Sequence, residues 1–363
     1  MDSQLFKPIK LRSLELANRV VVAPMCQYSA ADGTASDWHM MHLGQFAVSG
    51  VGLLLTEATG VVPEGRISPN CLGLYSDENE AALSRIIKFI REYGTSPIGI
   101  QIAHAGRKAS TEPPWKGESA VLPKDGGWEL VAPSAISFSN RSEMPRAMTK
   151  EDIKHAQEGF VQATKRAKRL DMDCIEIHAA HGYLAQSFLS PLSNKREDEY
   201  GGSLGNRMRF LLETFEKVRA IWPEEKPLGV RITSSDWVDG GWAIEDSVAL
   251  ALELEKRKCD FIVASSGGAT PDAAVVAGPG YQVGFAAEIK RNMTDMAVMA
   301  VGLITDPHQA DSIIRSGQAD MVALARGMLY NPHWTWQAAV ALGQETAYPH
   351  PVSYTHLTLP TKA

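Results

Sequence analysis

The chain has 363 residues, a formal net charge of −6, 44% hydrophobic and 21% charged residues. That is ordinary globular composition, rich enough in apolar residues for a sizeable core, and it argues against disorder. The mild acidity comes without any basic block, which argues against nucleic acid or an anionic membrane as a partner.

Four cysteines, Cys26, Cys71, Cys174 and Cys259, stand far apart with no CxxC or zinc-like spacing, as free thiols in a reducing cytoplasm would. The N-terminal stretch has no basic region followed by an apolar one. No apolar run approaches the roughly 20 residues of a membrane helix. The expectation is a soluble, cytoplasmic protein.

Short runs rich in Val, Ile and Leu recur along the chain. They are Val20–Ala23, Leu53–Thr56, Ile98–Ile102, Cys174–Ile177, Leu228–Ile232, Phe261–Ala264, Val298–Val301 and Met321–Ala325. Each is predominantly apolar and bounded by Gly, Pro or polar residues, as strands covered on both faces are. Between them the pattern predicts helices over Asp37–Val48, Glu78–Tyr93, Lys150–Leu170, Asn206–Ile221, Ile244–Arg257, Phe285–Met293 and Pro307–Arg315. Thr149 before Lys150, and Asp306 before Pro307, are helix-start signals.

Eight strands with helices between them predict an α/β protein, a closed (β/α)8 TIM barrel in a single domain over residues 1–342. The alternative is an open doubly wound sheet. Against it, Pro24-Met25-Cys26 follows the first strand where a GxGxxG fingerprint would stand. The stretch from Arg107 to Met148, between the third and fourth strands, is irregular and rich in Pro, Gly and Trp. Its position predicts a capping insertion that walls the pocket. Residues 343–363 read as a C-terminal tail, atypical or foreign from about residue 352, with no amphipathic pattern.

Barrel chemistry is built at the C-terminal ends of the strands. There the chain offers Pro24, Met25, Cys26 and Tyr28; Ala58; Gln101 and His104; His178-Ala-Ala-His181-Gly-Tyr183; Arg231; Ser265 and Ser266; Gly302; and Ala325-Arg326-Gly327. Two imidazoles and a phenol within six residues suit a site that polarises a substrate oxygen. Glycines and an arginine after the last two strands suit a phosphate. Arg231 and Gln101 could address a polar ring, although an internal ion pair would explain Arg231 equally well. The nearest carboxylates are Glu57 and Asp236. A metal-dependent hydrolase using the His178/His181 pair is the alternative from another class, and the scarcity of carboxylates weakens it.

The blocks Ala23-Pro-Met-Cys-Gln-Tyr28, Leu55-Thr-Glu-Ala-Thr59, Gln101 to Ala109 and His178 to Arg196, followed by Asp198 to Ser203 and Asn206 to Phe210, resemble the old yellow enzyme family. The likeness is to its branch of xenobiotic reductases and thermophilic-like ene-reductases, and it runs from Asn18 to about Trp336. It implies a barrel holding FMN non-covalently, with Ala23, Pro24, Met25, Cys26, Ala58 and Gln101 around the flavin ring. Arg231 would lie near the ring's N1 side, and Gly302, Ala325 and Arg326 near the phosphate. It further implies NADPH or NADH as reductant and an activated alkene as substrate, with hydride passing from flavin N5 to Cβ. By the same resemblance His178 and His181 hold the substrate oxygen, Tyr183 gives a proton to Cα, and Tyr28 contacts the substrate. No metal ligand is implied, and a homo-oligomer, dimer or tetramer, is. Two departures stand out: the tail after Pro351 does not match the family's, and Ala300-Val-Gly302 lacks a tryptophan that some members place nearby.

Overall fold

The computed structural model describes residues 2–355. Eight parallel strands close into a barrel: β1 Val20–Val22, β2 Leu53–Gly60, β3 Ile98–Ala103, β4 Cys174–Ala179, β5 Leu228–Thr233, β6 Phe261–Ser265, β7 Ala297–Ala300 and β8 Met321–Leu324. Each pairs with its successor, and β8 closes on β1 through Val322↔Val20 and Leu324↔Val22. The connecting helices are α1 Asp37–Ala47, α2 Asp77–Tyr93, α3 Lys150–Arg169, α4 Leu204–Arg219, α5 Ile244–Lys256, α6 Val283–Asn292 and α7 Pro307–Arg315, with α8 Trp334–Ala341 after the last strand. The expected (β/α)8 barrel is the observed fold.

Helix starts follow their caps. Thr149 Oγ1 accepts from the Asp152 N–H at 3.1 Å, and Asp306 Oδ1 accepts from the Gln309 N–H at 2.8 Å. Each satisfies a donor that the first helical turn leaves open. Ser76 and Ser203 cap α2 and α4, whose first residues fall one and two positions before the expected starts.

Alternation along the strands sorts the core into two parts. Ile98, Ile100 and Ile102, Ile175 and Ile177, and Leu228, Val230 and Ile232 pack outward against the helices. The other parity faces the barrel axis, where Val21, Leu53, Leu55, Cys174, Phe261, Val263, Met299 and Met321 form the apolar floor. Gly99 and Gly229 belong to that inward parity. A Cβ on Gly99 would meet Cys174 Sγ, and one on Gly229 would meet the Phe261 ring, so the floor is full only because these two positions carry no side chain. Further along, the inward positions become Gln101, Glu176 and Arg231, and then His178 and Ser265 at the mouth.

Two features depart from the sequence pattern. The hairpin Ile9–Leu11/Leu14–Leu16 has no counterpart among the expected elements, and its Leu11 and Leu16 plug the barrel floor. Strand β2 was expected to end at Thr56, yet it continues to Gly60 through a register shift between Leu55 and Ala58, with Ala58 pairing Gln101. The shift lets a polar stretch that reads as a strand end stay in the sheet.

The insertion after β3 holds three short 3₁₀ turns and a two-residue ladder, Val131–Ala132 with Arg146–Ala147. Its Trp115 packs edge-on to Tyr28, centroids 5.9 Å apart, and its Phe138 ring lies 4.2 Å from Lys108 Nζ. It therefore caps the mouth, as its position between the third and fourth strands predicts. Of the tail expected to be atypical, residues 356–363 lie outside the described residues.

Candidate active site

Strand β4 delivers His178 at its C-terminal end and the next turn delivers His181 and Tyr183. His181 has φ +58° and is held there by two bonds. Its N–H donates to Thr233 Oγ1 at 2.8 Å, and its carbonyl accepts from Lys108 Nζ at 2.9 Å. Lys108 also donates to the Gly268 carbonyl at 3.1 Å, clamping the β4 and β6 loops together. Gly268, at φ +89°, fits there only because it has no side chain: a Cβ would run into the His181 backbone at 2.6 Å.

The two imidazoles face one another, His178 Nε2 to His181 Nδ1 at 3.2 Å, and His181 Nε2 lies 2.7 Å from Ser265 Oγ. Burial, with the Arg231 charge nearby, pushes His178 down to about 3 and His181 well below the usual histidine value. Both rings are neutral at physiological pH. The Tyr183 ring packs edge-on to His178 with centroids 4.8 Å apart. Burial raises its phenol well above 10, so it keeps its proton.

Beside the histidines opens a cavity of about 250 Å³ lined by Ala23, His181, Arg231, Gly302, Ala325 and Arg326, among others. Ala23, Arg231, Gly302, Ala325 and Arg326, predicted from the sequence, therefore meet at one place. Cys26, Tyr28, Ala58 and Tyr183 form a cluster of their own at the mouth, around the buried Cys71. Gln101 lies one layer deeper, donating to Glu176 Oε1 at 2.5 Å. Met25 packs into the outer core, and neither it nor Pro24 lines the cavity.

The donor set fits FMN. Arg231 Nε and Glu176 Oε2 are buried without a hydrogen-bond partner, the state in which a guanidinium waits for acceptors from a bound group. At the other end, Gly302 at φ +116° and the first turn of the short helix Arg326–Tyr330 bring open backbone N–H groups and a guanidinium to the same wall. Arg231 would hold the ring, and Gly302, Ala325 and Arg326 the phosphate.

The two carboxylates named from the sequence serve other ends. Glu57 faces His39, Oε1 to Nε2 at 3.2 Å without hydrogen-bond alignment, and its other oxygen accepts from the Gln27 N–H. Asp236 is spanned by Gln186, Ser190 and the Trp242 N–H, bracing the loop after β5. His104 turns away too, its Nδ1 taking the Gly106 N–H, and it lines a separate pocket with Glu64 and His155. Glu176 and Lys108 were missed. An acidic residue inside the apolar run from Cys174 to His178 was the available signal for Glu176, and nothing local marks Lys108.

Among the described residues, no group of three or more His, Cys, Asp or Glu is arranged to hold a metal ion. The metal-hydrolase alternative gains no support, since His178 already engages both ring nitrogens within the protein.

Residues 4–345 match the NADH:flavin oxidoreductase / NADH oxidase family. The NADPH dehydrogenase of Geobacillus sp. (strain WCH70) is 45% identical over 345 residues, covering 94% of this chain and 96% of its own. That of Bacillus subtilis (strain 168) is 43% identical over 356 residues, covering 98% and 99%. Among solved structures, morphinone reductase in complex with tetrahydroNAD superposes with a TM-score of 0.78 at 27% identity, over 96% of this chain and 93% of that one. A 2-naphthoyl-CoA reductase complex gives a TM-score of 0.84 at 25% identity, and this chain spans about half its length (52%). With the barrel, the two arginines lining the cavity and these relatives in agreement, the chain belongs to the NADH:flavin oxidoreductase / NADH oxidase family, the old yellow enzyme group, and is an oxidoreductase that uses FMN with a nicotinamide reductant.

Proposed function

We propose that the protein uses NADPH or NADH to reduce the C=C bond of activated alkenes: enones, enals, maleimides and nitro compounds. The observation that carries the reading is the neutral His178–His181 pair, 3.2 Å apart, with the protonated Tyr183 phenol packed against it beside the cationic cavity. FMN, when bound, supplies the two-electron transfer between nicotinamide and substrate.

The chain's own groups do the rest. Reduction at Cβ builds negative charge on the substrate's carbonyl or nitro oxygen, and His178 and His181 hold that oxygen with N–H donors. Such donors act strongly in a buried site that the insertion covers. Tyr183 Oη gives its proton to Cα. A raised phenol value suits that task, since the proton leaves only once a strongly basic carbon has formed. Tyr28, turned to φ +49°, meets the substrate from the first loop, with Trp115 behind it.

Cys26 acts here as a neutral neighbour of the flavin ring and not as a nucleophile, because burial holds its thiol well above the usual value. The same reading assigns residues 1–342 to the FMN-binding barrel and gives the tail, 343–363, no catalytic part. A homo-oligomer, dimer or tetramer, and a cytoplasmic location complete it; four free cysteines agree with the latter, and no helix among the described residues is long and apolar enough to cross a membrane.

The deciding experiment is the visible spectrum of the purified protein under anaerobic NADPH and then 2-cyclohexenone. Flavin bands near roughly 450 nm should bleach with NADPH and return with the enone. Bands that bleach and stay bleached would overturn alkene reduction while leaving the oxidoreductase intact.

A further inference from the structure

We infer that Ser265, by accepting from or donating to His181 Nε2, lets His181 move its proton between its two ring nitrogens, and thereby lets both imidazoles donate to one substrate oxygen. The inference rests on the proposed substrate-binding role of the two histidines.

The hydrogen-bond order follows from one fixed donor. The Ala180 N–H points at His178 Nδ1 at 3.1 Å, so that nitrogen accepts. The ring is neutral, and its single proton therefore sits on Nε2. That N–H faces His181 Nδ1 at 3.2 Å, which makes Nδ1 an acceptor and leaves the His181 proton on Nε2, aimed at Ser265 Oγ at 2.7 Å. Ser265 passes its own O–H toward Gln282 Oε1 at 3.4 Å, a long bond beside the 2.6 Å one that Ser266 makes to the same oxygen. In this order every N–H of the pair is consumed inside the protein.

A substrate oxygen lodged between His178 Nε2 and His181 Nδ1 needs a proton on both. His178 already presents one. His181 can join only as its Nδ1–H tautomer, which turns Nε2 into an acceptor. The proton lost from Nε2 and the proton gained at Nδ1 belong to the same ring, so charge is unchanged. The partner of Nε2 must then switch from accepting to donating. A hydroxyl does this by rotating about one bond, whereas a carboxylate could only accept and an ammonium only donate. For Ser265 the switch gives up no more than its 3.4 Å bond to Gln282.

Swinging the His181 ring to a new partner would break its 2.7 Å contact with Ser265 Oγ, whereas moving the proton keeps it. Moving the proton is the response that costs the site least. Ser265 is thus a positioning residue that acts through His181.

Nitrogen-15 NMR of histidine-labelled, oxidised, FMN-loaded protein reads the tautomer with and without saturating 2-cyclohexenone, no reductant being present. His181 should be protonated at Nε2 without the enone and at Nδ1 with it. In Ser265→Ala nothing donates to Nε2 of the Nδ1–H form, so that form should be less populated with the enone, and kcat/KM for the enone should fall about tenfold to a hundredfold. A His181 tautomer that is the same with and without enone in the unaltered protein overturns the inference, and this measurement needs no variant to fold. Unchanged kcat/KM in Ser265→Ala overturns it as well. Failure of the underlying reading looks different: His178→Ala and His181→Ala would then bind the enone as tightly as the unaltered protein.

Discussion

Gln101 and Glu176 face each other inside the barrel, Nε2 to Oε1 at 2.5 Å, from paired positions on β3 and β4. An ionised carboxylate only accepts, so the contact turns the Gln101 amide with its NH₂ toward Glu176 and its oxygen free for a bound group. Burial pushes Glu176 up to about 7, against the opposing pull of Arg231 and the Gln101 bond. Glu176 is in turn the foremost of the groups that help Arg231 keep its charge against burial.

Above pH 7, where Glu176 is ionised, Glu176→Gln therefore removes the negative charge that balances Arg231 at the flavin cavity. The midpoint potential of bound FMN should rise by about 30 mV, a tenfold shift toward the reduced form of a two-electron couple. Anaerobic potentiometric titration measures it. An unchanged potential in the folded variant would assign Glu176 to packing alone.

Variants at the mouth separate the two half-reactions. His178→Ala or His181→Ala should retain flavin and slow alkene reduction by roughly 10²- to 10³-fold, the usual loss for one oxyanion donor. Tyr183→Phe should slow the alkene half-reaction by about 10²-fold or more and leave flavin reduction by NADPH largely intact. Stopped-flow absorbance follows each half separately. Equal slowing of both halves in Tyr183→Phe would rule the phenol out as a simple proton donor.

Acid should destabilise the protein through His178. Its folded value of about 3 lies below the ordinary 6.5, so between these two pH values the unfolded chain binds the extra proton. The stabilising contribution is complete above pH 6.5 and is lost as pH falls from there toward 3. Urea unfolding at pH 7, 6 and 5 should show the unaltered protein losing about 1.4 kcal/mol per pH unit more than His178→Gln below the ordinary value. Parallel slopes for the two proteins would contradict a neutral, buried His178.

Gly229→Ala tests the floor of the barrel. The new methyl would meet the fully buried Phe261 ring on the neighbouring strand at less than contact distance, so the ring would have to shift. Overpacking of this kind costs about 1–3 kcal/mol. Equilibrium unfolding in denaturant would report it, and a stability equal to the parent protein's would mean that Phe261 can repack.

Much of this was legible in the sequence because it is local. Val20 to Val22 and Phe261 to Ala264 read as buried strands because both parities are apolar, and Thr149 and Asp306 mark helix starts because a cap acts within three residues. The spacing of His178, His181 and Tyr183 places them together because one strand and one turn carry all three. Glu57, Asp236 and His104 also stand near strand ends, and nothing in their neighbourhoods reveals that His39, Gln186 and Gly106 engage them elsewhere.

By itself, then, the sequence determined the eight-strand alternation, the caps, the resemblance and the roster of polar groups at the barrel mouth. Only the tertiary structure decided which of those groups meet. Glu176 reaches Gln101 across 75 positions of chain, Lys108 reaches the His181 carbonyl across 73, and His181 reaches Ser265 across 84. Hydrogen bonds are short-ranged and directional, and partners so distant in sequence are chosen by barrel closure and strand register, which no local pattern encodes.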